Sequence, residues 1–148
     1  MATFISKSPE ETEQLGERWG REAKAAWVVG LSGDLGAGKT QLVKGIARGL
    51  GVTGCVRSPT FALLNEYSGG RLRLVHIDLF RLDTREQMVG AGLEEYFSRP
   101  KGVAVIEWAE KWFDRGSTCK SRGLRVRRVN IEALSETERR ITYEDFGP

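Results

Sequence analysis

Two apolar runs, one around Val28 and one around Val103, are the longest in the chain, and each is the length of a single strand. Upstream of the first, Ser8, Pro9 and Glu11 read as a helix start: Ser8 caps, Pro9 suits the first helical position, and Glu11 lies three residues after the cap. That helix is expected to run to about Ala25. Residues 26–32 form the first apolar strand; a glycine-rich turn follows, then a second helix from about Lys39 to Leu50, ended by Gly51. Residues 61–67 and 71–78 are extended candidates separated by Ser68, Gly69 and Gly70, the pattern of a hairpin. Residues 86–97 carry a helical pattern interrupted by Gly90 and Gly92, and residues 103–108 are the second apolar strand. Residues 124–131 and 139–143 are expected to pair antiparallel around a turn at residues 135–137. There is no internal repeat, linker or low-complexity block. Helices alternating with strands, plus hairpins, predict an α/β domain: a mixed sheet with helices on both faces and antiparallel hairpin additions.

Composition agrees with a folded chain of that kind. Hydrophobic residues make up 40% of the 148 and charged residues 29%, enough apolar material for a core and unlike a disordered tail. The length favours one domain over residues 1–148. No run approaches the roughly 20 apolar residues that cross a bilayer, and residues 1–7 lack the basic-then-apolar order of a signal peptide, so a cytoplasmic location without a membrane partner is expected. Cys55 and Cys119 match no metal or redox spacing. The net charge of +3 is weak support for direct nucleic-acid binding.

The sharpest chemical signal is Gly33, Asp34, Leu35, Gly36, Ala37, Gly38, Lys39 and Thr40, which satisfy G-x-x-x-x-G-K-[ST] between the first apolar strand and the second helix. In such a loop backbone N–H groups surround phosphates. The lysine reaches the β- and γ-phosphates, and the threonine hydroxyl can ligate Mg²⁺ at a positively polarised helix end. At ordinary residue usage the pattern arises by chance in under roughly 1% of chains this long, and here the flanking strand and helix supply its context. The fold expectation becomes a P-loop NTPase-like, mainly parallel central sheet. A P-loop also needs a carboxylate at the end of a neighbouring strand, and two strands offer one, Asp78 and Glu107. Either, taken singly, also fits a solvated strand-end acid, and spacing does not rank them. Together they permit a division of labour: one carboxylate orients the metal, and the other orients or deprotonates water.

Several other residues have two readings. His76, the only histidine, lies two residues before Asp78 and on the same strand face; a structural hydrogen-bonder is the more ordinary role than a catalyst. Ser58, Pro59, Thr60 and Phe61 read as a turn before a strand, or as a switch loop whose hydroxyls contact a γ-phosphate. Trp108, Trp112 and Phe113 read as packing against the sheet, or as a nucleotide or partner surface, and Trp108 is counted as a nucleotide-binding candidate. Residues 111–128 hold seven basic residues and one acidic one, a solvated face or a docking surface for an anionic partner. Neither an Asn-Lys-x-Asp guanine reader nor an Asp-x-x-Gly switch occurs, which disfavours GTP. A small-metabolite kinase would use residues 111–128 as its lid, and a nucleotide-gated binding module without turnover is the third reading.

Taken with Gly33 to Thr40, the segments Ser58-Pro59-Thr60-Phe61, Tyr67, His76-Ile77-Asp78-Leu79-Phe80-Arg81-Leu82, Gly92-Leu93-Glu94-Glu95-Tyr96 and Glu107-Trp108 through Glu110 are similar, in order and spacing, to the TsaE (YjeE) family of bacterial tRNA-modification ATPases. The resemblance covers about residues 5–145. It departs at Ala109, where the family often has Pro, at Phe80, where it often has Tyr, and over residues 112–122, which align poorly. It implies a small ATPase using ATP and Mg²⁺ that works with the TsaD and TsaB proteins. Together these make threonylcarbamoyladenosine beside the anticodon of tRNAs reading codons that begin with A, TsaD performing the transfer and tRNA being met through the complex. By the same resemblance Thr40 and Glu107 hold Mg²⁺, Asp78 is needed for hydrolysis, and Ser58 and Thr60 lie in a switch-like segment. Lys39 and the loop amides then stabilise the transferring phosphoryl group while Asp78 positions or activates water. No arginine finger is identifiable, so slow intrinsic turnover is expected, with a partner completing the site.

Overall fold

A computed structural model describes residues 1–33, 38–53, 56, 64–98, 101–112 and 125–146. Its strands are β1 (Ala2–Ser6), β2 (Trp27–Ser32), β3 (Leu64–Tyr67), β4 (Leu74–Asp78), β5 (Val103–Glu107), β6 (Arg125–Ala133) and β7 (Arg139–Phe146). The helices are α1 (Pro9–Glu22), α2 (Lys39–Leu50), α3 (Arg85–Gly90) and α4 (Glu94–Ser98), and Ala109–Lys111 form a 3-10 turn. Among the described residues no helix is long and apolar enough to cross a membrane.

α1 starts as its sequence dictates: the Ser8 hydroxyl accepts the Glu11 N–H at 3.1 Å, and Pro9 fills a first-turn position that needs no donor. It stops at Glu22, short of the expected Ala25, because a distant residue caps it. The Arg71 guanidinium donates to the carbonyl oxygens of Gly20 at 2.8 Å, Arg21 at 3.1 Å and Ala23 at 2.7 Å. That tether also explains why β4 begins at Leu74 and not at Arg71, whose own N–H donates to the Leu50 carbonyl at 2.6 Å. α2 ends at Leu50 with Gly51 left-handed at φ +81°, as the sequence predicts.

The two helices meet through glycines spaced four apart on each, Gly16 and Gly20 against Gly45 and Gly49. A Cβ on Gly45 would run into the Glu13 carbonyl oxygen and one on Gly49 into that of Glu17, while Gly16 and Gly20 face the Leu42 and Ile46 carbonyls in the same way. Small residues at these crossings let the backbones touch, so α2 is held at a fixed height over the sheet.

The sheet runs β1-β7-β6-β2-β5-β4-β3. The four central strands β6, β2, β5 and β4 are parallel, and antiparallel strands extend both edges. β2, β5 and β4 read as near-continuous apolar runs because both of their faces are covered. On one face Val29, Leu31, Leu74, Val103, Val105, Val129 and Ile131 pack beneath α1 and α2; on the other, Val28, Val75, Ile77, Ala104 and Ile106 pack with Met88 of α3 and Leu93. Each fully buried aliphatic side chain contributes about 1.5–3 kcal/mol. Helices cover both faces, as the element order implies.

Three further features depart from the sequence reading. β1 is unforeseen, since Phe4 and Ile5 sit side by side and break the period-two pattern; it forms by pairing with β7 at the sheet edge. The helical pattern of residues 86–97 splits into α3 and α4, with Gly92 at φ +78° turning the chain between them. Arg127, within the basic run, lies on the face covered by α1 and α2. Its guanidinium stacks 4.7 Å from the Trp19 ring centre and 4.6 Å from that of Tyr143, and it bonds both Asp145 carboxylate oxygens at 2.6 and 2.9 Å. That side chain is part of the fold's packing.

The helix contact yields a paired test. Gly45→Ala should lower unfolding free energy by about 1–3 kcal/mol, because the methyl forces the backbones apart. At Gly90, where nothing lies within 4 Å of a Cβ, alanine should be neutral or gain about 0.5 kcal/mol. Urea unfolding of both variants checks this, and a stabilised Gly45→Ala would contradict the close contact.

Candidate functional site

β2 delivers the chain to Gly33, at φ +147°, and α2 takes it up after Gly38, at φ +98°. Only glycine adopts Gly38's left-handed conformation without strain, and no side chain caps the helix start there. Lys39, the first helical residue, is 5% exposed and reaches back to Gly33: its Nζ donates to the Gly33 carbonyl at 2.8 Å and lies 3.9 Å from the centre of the Trp108 ring. Thr40 follows in the same first turn, half-buried.

Parallel pairing brings the acidic residues to that place. Leu31 of β2 and Asp78 of β4 are both opposite Glu107 of β5, so three strands end on one line. Alternation along β4 and β5 puts His76, Asp78 and Glu107 on the face of Leu74, Val103 and Val105, the face covered by α2. Glu107 is 4% exposed and His76 wholly buried; a carboxylate can only accept, so His76 Nε2–H donates to Glu107 Oε2, at 2.5 Å. His76 Nδ1 has no hydrogen-bond partner among the described residues.

Asp78 is half-buried, and its Oδ1 accepts the Phe80 N–H at 2.9 Å. Burial holds its carboxyl above the ordinary carboxylate range, and the nearby Glu107 charge pushes the same way, against the Phe80 N–H, His76 and Lys39. Lys39, His76, Asp78 and Glu107 therefore share one electrostatic neighbourhood.

Trp108, expected to end the strand, is instead left-handed at φ +60°, a costly conformation for a bulky residue. The turn keeps its indole against Lys39 and 5.2 Å from the Phe80 ring. Lys111 fastens the neighbouring loop by donating from Nζ to the Phe80 carbonyl at 2.8 Å and the Leu82 carbonyl at 3.1 Å. The segments leaving β4 and β5 are thus tied to each other beside Lys39.

The sequence profile of the family described as "Threonylcarbamoyl adenosine biosynthesis protein TsaE" matches residues 6–141. The chain belongs to the TsaE family. The TsaE protein of Bacillus subtilis is 45% identical over 140 residues, covering 95% of this chain and 83% of its own length. That of Aquifex aeolicus is 35% identical, with 93% and 91% covered. Both are named tRNA threonylcarbamoyladenosine biosynthesis proteins. Among solved structures, Bacillus subtilis YdiB superposes with a TM-score of 0.76 at 33% identity, over 98% of this chain and 84% of that one.

Within this TsaE-family fold, Gly33, Gly38, Lys39 and Thr40 stand at the β2–α2 junction, Asp78 and Glu107 are adjacent, and Trp108 touches Lys39. Asp34, Leu35, Gly36, Ala37, Ser58 and Thr60 lie outside the described residues. Of the basic run, Lys111 and Arg127 are engaged inside the fold, and residues 113–124 are outside the described residues. The His76–Glu107 bond was not legible in the sequence: it joins residues 31 apart, and only strand order makes them neighbours. Lys111 was similarly hidden inside a run of like charges.

The raised pKa of Asp78 has a definite sign. A carboxyl whose folded pKa exceeds its unfolded one is best tolerated protonated; its contribution is full below the unfolded pKa and is lost as pH rises through the folded one. Asp78→Asn keeps an acceptor for the Phe80 N–H, so it should raise the melting temperature at neutral pH, with the gain vanishing below the ordinary carboxylate range. Thermal unfolding across pH checks this; a lower melting temperature at neutral pH would contradict the unfavourable charge.

Proposed function

We propose that this chain is a Mg²⁺-dependent ATPase that serves threonylcarbamoyladenosine formation on tRNA, acting with TsaD and TsaB in the cytoplasm and meeting tRNA through their complex. Family membership supports the pathway, and the names of the relatives supply its product. One observation carries the chemistry: a lysine at a glycine-framed helix start shares a neighbourhood with two carboxylates that end adjacent parallel strands.

Each residue then has a role consistent with its surroundings. The loop of residues 33–40 cradles the phosphates, Lys39 leaves the Gly33 carbonyl for the β/γ-phosphate oxygens, and the Trp108 indole bounds its path. The Thr40 hydroxyl and the Glu107 carboxylate are hard oxygen donors of the kind Mg²⁺ takes. Phosphate oxygens and water are the other donors that Mg²⁺ would take at such a site. When bound, Mg²⁺ neutralises charge on the phosphate oxygens. Asp78, less buried than Glu107 and kept at a raised pKa, is the carboxylate suited to orient water or take its proton. Ser58 and Thr60 belong to the switch-like segment in this reading.

The purified chain should release phosphate from ATP slowly without any added acceptor and faster with TsaD and TsaB. Lys39→Ala should lose binding or turnover. Asp78→Asn should keep ATP affinity within about 3-fold and lose at least about 100-fold in single-turnover hydrolysis. Phosphate transfer only to an added metabolite would identify a kinase instead, and equal loss of binding and chemistry in Asp78→Asn would place Asp78 in the metal shell.

A further inference from the structure

We infer that His76 is a positioning residue for the proposed metal ligand: its Nε2–H, bonded to Oε2 of Glu107, fixes the plane of that carboxylate so that its other lone pairs meet the cation in one orientation. This rests on the assignment of Glu107 to Mg²⁺ and adds a residue to it. Three observations carry it. The first is burial. His76 is 0% and Glu107 4% exposed, and taking such a pair out of water is costly enough that apolar side chains of similar volume would serve stability as well. The second is geometry. His76 lies opposite Val105, one step along the same face from the Asp78–Glu107 pair, so its ring reaches Glu107 diagonally and leaves Asp78 bonded to the Phe80 N–H.

The third is what the ring does not do. A histidine that knits a core usually uses both nitrogens, yet among the described residues Nδ1 has no partner and the ring's bond is the one to Glu107. Without that bond the Glu107 side chain retains rotational freedom about its last torsion, and the carboxylate must be ordered each time a cation binds. Outer partners of this type commonly alter metal affinity by about 10–100-fold.

The probe is Mn²⁺, read by the loss of its free-ion electron paramagnetic resonance signal, in the presence of a non-hydrolysable ATP analogue. His76→Gln keeps an N–H near the Nε2 position, His76→Asn carries its amide one bond short, and His76→Leu fills the space without a donor. We expect Mn²⁺ affinity to fall about 10-fold or more in Leu and Asn and to stay within about 3-fold of the parent in Gln. Metal-free binding of the analogue should be unchanged in all three. Parent-like Mn²⁺ affinity in folded His76→Leu, or in His76→Asn where the leucine variant does not fold, would make His76 a packing residue only. A parent chain that takes up no Mn²⁺ with the analogue would remove the metal assignment itself, and this role with it.

Discussion

The row Leu31–Glu107–Asp78 across β2, β5 and β4 is the constraint on which the site depends. Because β5 is inserted between β2 and β4, three chain segments remote in sequence meet on one line, with Gly33 two residues beyond it along the chain from β2. A slip of one residue in either pairing would turn a carboxylate to the opposite face, away from α2. The register is fixed by burial on both sides: shifting β5 would exchange Val103 and Val105 for Ala104 and Ile106 in cores of different shape. The glycine contact of α1 with α2 does the same for the helix, setting where Lys39 stands over the sheet.

The site itself is a place of unfavourable terms. Asp78 is held above its ordinary pKa, Glu107 is buried, and Trp108 occupies a left-handed conformation. Such features persist only where the surroundings over-determine them. Here the surroundings are the two apolar layers, the Lys111 bonds to the Phe80 and Leu82 carbonyls, and the His76 bond to Glu107. Elsewhere in the fold, Arg127 is held by Asp145, Trp19 and Tyr143, and Arg71 binds the end of α1.

Much of this was legible because local rules governed it. The Ser8 cap, the Lys39–Leu50 helix with its Gly51 stop, and the apolar strands around Val28 and Val103 follow from short-range chemistry and both-face burial. Gly33 and Gly38 stand, as the sequence places them, between β2 and α2, and the two strands read as ending in carboxylates do bring Asp78 and Glu107 side by side. What the sequence concealed is long-range. β1 exists only through its partner β7, the end of α1 is set by Arg71, and one glycine hinge splits a helical pattern in two. The basic run looked uniform, yet Lys111 and Arg127 are occupied within the fold, a distinction that depends on which strand face and which loop each meets.

Whether the line of strand ends beside Lys39 is a nucleotide site is decided by a crystal structure of the chain with Mg²⁺ and a non-hydrolysable ATP analogue. In that complex Lys39 Nζ should leave the Gly33 carbonyl and the Trp108 ring to lie between the β- and γ-phosphates. The metal should sit between Thr40 and Glu107, with Asp78 facing the γ-phosphate and not touching the metal. A nucleotide bound elsewhere, or a metal held away from Glu107, would contradict that assignment.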